Sequence, residues 1–327
     1  LDDVMARALT SAESEGLIAA AAAARAGRAS PADPAFYDDL EPFVGGVPES
    51  LRATVAHYRA DGPSSLVLSG VPVDAARCGP TPLSWQEAVP DGRQEQEEAQ
   101  LALLAALLGE PFAWRTIQLG RMVQNLVPVD GEQQAQSGHG AVELDWHSED
   151  GFHESRCRYL VLLGIRNPDG VPTTVGCIRG VELTARQRAV LAQPRFLIRP
   201  DPEHLRQLAA TAPGSAALLD AQERHDHPEP VAILSGPPDD PHLRIDPPYT
   251  TTVPGDDEAA EAVAAVVAEL DRLQRDVVVG AGEVLVLDNY RAVHGRRAFR
   301  PRFDGTDRWL KRISVREPVG ASTGRVL

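Results

Sequence analysis

No run of about 18 apolar residues occurs in the 327-residue chain, so no segment is long enough to cross a bilayer as a helix. The longest low-polarity run, Leu17 to Ala24, lacks the basic start and cleavage pattern of a secretory signal. Cysteine is nearly absent: Cys78, Cys157 and Cys177 stand apart, with no CxxC pair, which excludes a disulfide framework and fits a reducing cytoplasm. Cys157 and Cys177 lie in apolar surroundings and are expected in the core. Positive charge is scarce, with 32 basic against 47 acidic residues and a net charge of −15. Such a surface meets phosphate poorly, so neither nucleic acid nor an anionic membrane is expected as a partner. Also missing are GxGxxG and GxxxxGK[ST], which argues against a doubly wound nucleotide-binding fold.

What is present reads as one domain with no dividing linker. Helices are expected at 1–27, 48–61, 95–108, 183–193 and 257–273, the last with Val263, Val266, Val267, Leu270 and Leu273 on one face. Residues 76–94 are turn-rich. Short strands are expected at 65–73, near 115–125, 141–147, 158–165, 173–179 and 230–235, and at 283–289 and 310–316. This pattern predicts a mainly β fold with helical additions, built on a jelly-roll (double-stranded β-helix) core. The expected layout is an N-terminal helical region (1–62), a core (63–317) with a lid near 216–250, and a tail (318–327).

Two clusters carry chemistry. In WHSEDGFH, His147 and Glu149 are two residues apart, so a strand would aim both at one point. In DNYRAVHGR, His294 offers a second imidazole. Two imidazoles and one carboxylate on one face of a metal leave open positions for a 2-oxo acid and O₂, the arrangement of non-haem Fe(II) oxygenases. Arg308, fourteen residues after His294, is placed to clamp the far carboxylate of 2-oxoglutarate, and Arg312 follows on the same strand face by parity. The remaining candidates have bland readings. Asp150 and His153 fit packing beside the ligands, Trp146 the core, 255–257 a helix N-terminal charge set, and His225, His227 and His242 a polar loop.

The stretches 146–175, 243–246 and 287–315 resemble the clavaminate synthase-like Fe(II)/2-oxoglutarate oxygenases of the taurine dioxygenase superfamily, nearest to the amino-acid β-hydroxylases of peptide-antibiotic pathways. The resemblance spans about residues 60–317. It implies His147, Glu149 and His294 as iron ligands and Arg308 as the cosubstrate clamp, assisted by Thr174 or, one residue off, Thr173. It further implies Arg312 at the substrate α-carboxylate, with Gln118, Ser137 and the second oxygen of Glu149 at the α-amine. Asp246 falls to the side chain. Where arginine hydroxylases of this group carry a second acid two positions on, this chain has Pro248. Asp239 and Asp240 stand just upstream.

The implied reaction is hydroxylation, at C3, of a polar or basic L-amino acid such as arginine. Asparagine or another amino acid, free or carrier-bound, is the alternative substrate. The carboxylate ligand disfavours halogenation, because it fills the position a halide would need. A Zn-dependent hydrolase or cupin-type isomerase could use the same three ligands without O₂, and a non-catalytic cupin-like binding module would not need them. Oligomeric state stays open.

Overall fold

The computed structural model describes residues 3–87, 92–318 and 325–327. Part of the turn-rich stretch (88–91) and most of the tail (319–324) lie outside the described residues.

Two sheets face each other. The larger has the spatial order Val4–Ala8, Ser65–Ser69, Val284–Asp288, Tyr159–Arg166, Trp309–Arg316 and Glu110–Phe112, with Gln124–Leu126 also paired to Trp309–Arg316. The smaller has the order Arg275–Val278, Pro172–Cys177, Ala292–Arg296 and Leu144–His147. Period-2 alternation sends Leu160, Leu162, Leu285, Leu287 and Leu310 of the larger sheet against Val175, Val277 and Ala292 of the smaller, forming the layer between them. The opposite face of the larger sheet, with Val161, Leu163, Val284, Val286, Ile313 and Val315, packs with Leu17, Leu51, Val55, Leu101 and Leu104. Those residues belong to the helices Ser11–Arg25, Glu49–Asp61 and Glu95–Leu108. Trp146 and Val293, on the outer face of the smaller sheet, pack with Ala262, Val266 and Leu270 of the helix Asp257–Leu273. Sheets covered on both faces need near-continuous apolar strands, which is why Tyr159–Ile165 shows no polar alternation.

The strongly patterned helices fall where expected. Asp257–Leu273 is capped by the Asp256 carboxylate, which accepts from Ala259 N–H at 3.0 Å. Ala185–Leu191 starts with a Thr184–Gln187 capping box. Other expectations need correction. Helix and strand are mixed, rather than β dominating, because helices cover one face of each sheet. Residues 1–27 are not one helix: Val4–Ala8 is a strand parallel to Ser65–Ser69, and the helix begins after the Thr10 cap. Of 115–125, only Gln124–Leu126 is strand, because Gln118, Leu119 and Gly120 turn the chain with φ of 44°, 60° and 77°. Pro202–Thr211 and Ala216–Asp226 are helices, so His225 and His227 close a helix rather than lying in a loop. Cys157 is fully buried, whereas Cys177, at a strand end, is half-buried.

Lys311 is the only lysine in the chain and is fully buried. Its ammonium donates to Glu98 at 2.8 Å and to Asn125 at 2.6 Å. This contact fastens the helix Glu95–Leu108 to the strand that carries Arg312.

Among the described residues, no helix is long and apolar enough to cross a membrane.

Candidate active site

His147 ends the strand Leu144–His147, and its register partner across the smaller sheet is His294 of Ala292–Arg296. Antiparallel pairing therefore sets the two imidazoles side by side, with ring centroids 4.1 Å apart. The carboxylate of Glu149 completes the group: Oε2 lies 3.8 Å from His147 Nε2 and 3.5 Å from His294 Nε2. Among the described residues this is the one cluster of three metal-ligating side chains, its ligand atoms all within 4.8 Å of one another.

His147 and Glu149 are each in the state a divalent cation needs. His147 Nδ1 lies 3.0 Å from the Asp145 carbonyl, which fixes its proton there and leaves Nε2 free. Burial, then His294, hold the His147 ring down to about 3, so it is neutral at pH 7. Burial pushes the Glu149 carboxyl up, but the Arg312 guanidinium and the two imidazoles outweigh it and keep it ionised. Its other oxygen, Oε1, accepts from Arg312, which also binds Gln124 Oε1 through Nε and Nη2.

Glu149 does not reach this point by strand parity. The strand stops at His147, Gly151 N–H closes a turn on Ser148 C=O at 3.0 Å, and Asp150 has a φ of 53°. The segment Arg244–Asp246 is sewn along this turn. Ser148 N–H donates to Ile245 C=O at 2.7 Å, Ser148 Oγ accepts from Ile245 N–H at 3.2 Å, and Arg244 donates to the carbonyls of Gly151 and Phe152. Leu243 and Ile245 are fully buried. The end of the expected lid is therefore fixed to the ligand loop, and Asp246 is placed by it.

One cavity is lined by Ser137, His147, Glu149, Asp246 and Arg312. Asp201 and Glu203, from the start of the helix Pro202–Thr211, line it as well. Withdrawal from solvent, together with Asp201 and Glu149, raises the Asp246 carboxyl well above the ordinary range. Withdrawal from solvent also lifts Asp201 to about 6. The sequence reading missed Asp201. Its signal was an Asp-Pro pair opening a helix, which marks a cap before it marks a site.

Arg308 is buried, and its nearest side-chain partner is the Thr173 hydroxyl, 3.4 Å from Nη2. Thr173, not Thr174, therefore stands beside the guanidinium. Thr174 pairs with Gly295, which lies between His294 and Arg296 and faces the other way; the Thr174 hydroxyl sits 2.8 Å from where a Gly295 Cβ would be. Gln118 is buried, and its amide brackets Asn125, accepting from N–H at 2.9 Å and donating to C=O at 2.8 Å; it is not among the cavity-lining residues. Asp240 is taken up by Arg291 and Arg179, which hold it down to about 2, so it does not replace the missing lid acid. Asp150 accepts from Trp114 Nε1 and lies 3.4 Å from His204 Nε2, and His153 meets Trp114 edge to face, both as packing partners of the ligand loop.

Two imidazoles and one ionised carboxylate converging from one side, with an uncompensated buried arginine nearby, define a non-haem iron oxygenase that uses a 2-oxo acid. Residues 91–314 match the family model described as taurine catabolism dioxygenase TauD, TfdA family, and the chain belongs to that family of Fe(II)/2-oxoglutarate-dependent oxygenases. It is 39% identical over 300 residues to enduracididine beta-hydroxylase of Streptomyces hygroscopicus, covering 86% of this chain and 87% of that one. It is 34% identical over 280 residues to the L-ornithine/L-arginine 3-hydroxylase of Catenulispora acidiphila, covering 83% and 82%. Among solved structures, it superposes on the non-heme iron oxygenase OrfP in complex with Fe, succinate and (3S)-hydroxy-L-Arg. The TM-score is 0.91 and the identity 37%, over 98% of this chain and 99% of the other.

Proposed function

We propose that this protein hydroxylates the β-carbon of a free, cationic L-amino acid of the arginine type, in a biosynthetic route to a modified amino acid. The two facing sheets are read as the halves of a jelly roll. The observation that carries the substrate assignment is the placement of Asp246 and Asp201 in the same cavity as Arg312 and the ligand Glu149. Two carboxyls forced together out of solvent resist ionisation, and a guanidinium or ammonium between them removes that penalty. Asp201 supplies the second acid that the sequence lacks at position 248. The relatives named above support the reading, since their names specify basic amino acids and the β-position.

His147, Glu149 and His294 would hold ferrous iron, which with 2-oxoglutarate and O₂ supplies the oxidant for an unactivated C–H bond. The protein supplies position and protection. Arg308, with the Thr173 hydroxyl, is the anion site for the distal carboxylate of the cosubstrate. Arg312 meets the substrate carboxylate, and Glu149 Oε1 and Ser137 offer acceptors to the α-ammonium. Anchoring both α-substituents beside the ligand cluster brings the β-carbon nearest to it. The helix Pro202–Thr211 brings its cap residue Asp201 to the cavity and, with the adjoining helix Ala216–Asp226, is the proposed lid.

The test is succinate release triggered by a panel of amino acids (arginine, enduracididine, ornithine, lysine, asparagine), with mass spectrometry for the gain of one oxygen. Basic members of the panel are expected to trigger turnover, and asparagine is not. Asp246→Asn is expected to raise KM for the basic substrate by about 10- to 100-fold, the worth of a hydrogen bond to a charged group. An unchanged KM in that variant removes the acid from substrate recognition.

A further inference from the structure

We infer that Asn289 is a positioning residue for the metal centre: its side-chain amide sets where the Glu149 carboxylate falls relative to His294. The inference rests on the reading of the triad as an iron site and concerns a residue outside it. Glu149 lies beyond the end of its strand, so neither pleat nor ladder dictates its direction. What holds its backbone is one amide. Asn289 Oδ1 accepts from Glu149 N–H at 2.7 Å, and Asn289 Nδ2 donates to Glu149 C=O at 3.0 Å. Nδ2 also donates to Cys157 C=O at 3.0 Å. With one donor and two acceptors around it, the amide has a single satisfying orientation. Asn289 is 1% exposed, so no water competes for these bonds.

The bracket is itself rigid. Asn289 sits in the turn between Val284–Asp288 and Ala292–Arg296, five residues before His294. Arg291 N–H closes that turn on Asp288 C=O at 2.9 Å, and Asp288 Oδ1 accepts from Tyr290 N–H at 3.0 Å. Asp288 Oδ2 is fixed by Arg158 at 2.8 Å. Asn289 N–H donates to Arg158 C=O at 2.8 Å. One short turn thus fixes both the strand that delivers His294 and the backbone that delivers Glu149. His147 is registered to His294 by the sheet, so the Asn289 bracket is the third side of the arrangement. Such a constraint keeps the ligand set at bonding separation without the metal, so that metal binding need not reorganise the loop.

The test is an anaerobic Fe(II) titration of the whole protein, alongside thermal unfolding of the metal-free form. The variants are Asn289→Ala, Asn289→Asp and a control, Val286→Ala, whose side chain packs on the helix-covered face of the same strand. Asn289→Ala is expected to weaken Fe(II) binding about tenfold or more. Val286→Ala is expected to unfold at lower temperature yet bind Fe(II) like the parent. Asn289→Asp fills the same space and keeps the acceptor for Glu149 N–H but loses both donors. It is expected to bind Fe(II) more weakly, despite the added negative charge, and it decides the matter if the alanine variant does not fold. Fe(II) affinity unchanged in either Asn289 variant, or lost equally in the control, overturns the inference. If the parent protein itself binds no Fe(II), the iron-site reading fails and the role of Asn289 falls with it.

Discussion

Replacing His294 with alanine is expected to abolish amino-acid hydroxylation, with a loss on the order of 10³-fold or more, as for groups that act as a unit. The fold is expected to survive. His294 is buried, but its imidazole faces His147 and Glu149 rather than an apolar cluster, so the truncation removes little packing. The strand keeps its ladder on both sides, to Pro172–Cys177 and Leu144–His147. Removing the second ring also removes the neighbour that helps depress the His147 proton affinity. The checks are product formation by mass spectrometry, Fe(II) titration and thermal unfolding. Hydroxylation at a tenth of the parent rate or better would refute the ligand assignment, and a collapse of the metal-free fold would show that His294 is a core residue first.

The site was legible in the sequence where its logic is local, and illegible where it depends on pairing. His147 and His294 stand in compact clusters whose residue types have few other uses together. Glu149 was correctly placed beside them for the wrong reason. Parity along a strand predicted its direction, but the strand ends two residues earlier and the aim comes from Asn289, 140 residues away. A side-chain bracket over that distance leaves no periodic trace. Thr173 and Thr174 differ by a single step, and only the register of Pro172–Cys177 against Ala292–Arg296 separates the one facing Arg308 from the one facing away.

The same division runs through the fold. Asp257–Leu273 announces itself through helical spacing and its Asp256 cap. Val4–Ala8 does not, because a short strand with little alternation is stabilised only by its parallel neighbour Ser65–Ser69, 61 residues on. Pro202–Thr211 and Ala216–Asp226 carried adequate caps in Asp201 and Ser215. Read from sequence, Pro202–Thr211 nonetheless stays unassigned and Ala216–Asp226 counts as part of the lid, so the second acid of the cavity goes unseen.

Arg308→Met is expected to act with opposite signs on stability and on cosubstrate binding. The Arg308 guanidinium is buried, with its Nε unpartnered. Burial, then Arg296, pull its proton affinity from 12.5 down to about 9. A cation whose folded-state value is depressed destabilises the fold below that pH, and the penalty is relieved only as pH rises toward and past about 9. At pH 7 the fall corresponds to an upper bound of about 5 kcal/mol. Solvent penetration and the Thr173 hydroxyl reduce it, so replacement by an apolar side chain of similar length is expected to stabilise the ligand-free protein by about 1–4 kcal/mol. For 2-oxoglutarate the sign reverses. A charge-assisted pair is worth roughly 1.5–3 kcal/mol, so the variant should need about 10- to 150-fold more cosubstrate. In the parent, saturating 2-oxoglutarate with a redox-inert divalent metal should raise the unfolding temperature through linkage, and in the variant it should raise it far less. A cosubstrate-induced shift of equal size in both proteins would mean that the carboxylate is held elsewhere. An unaltered or lowered melting temperature of ligand-free Arg308→Met would mean that the buried charge is compensated within the protein. The crossed result would identify Arg308 as a charge kept at a cost to the empty fold so that the dianion can bind.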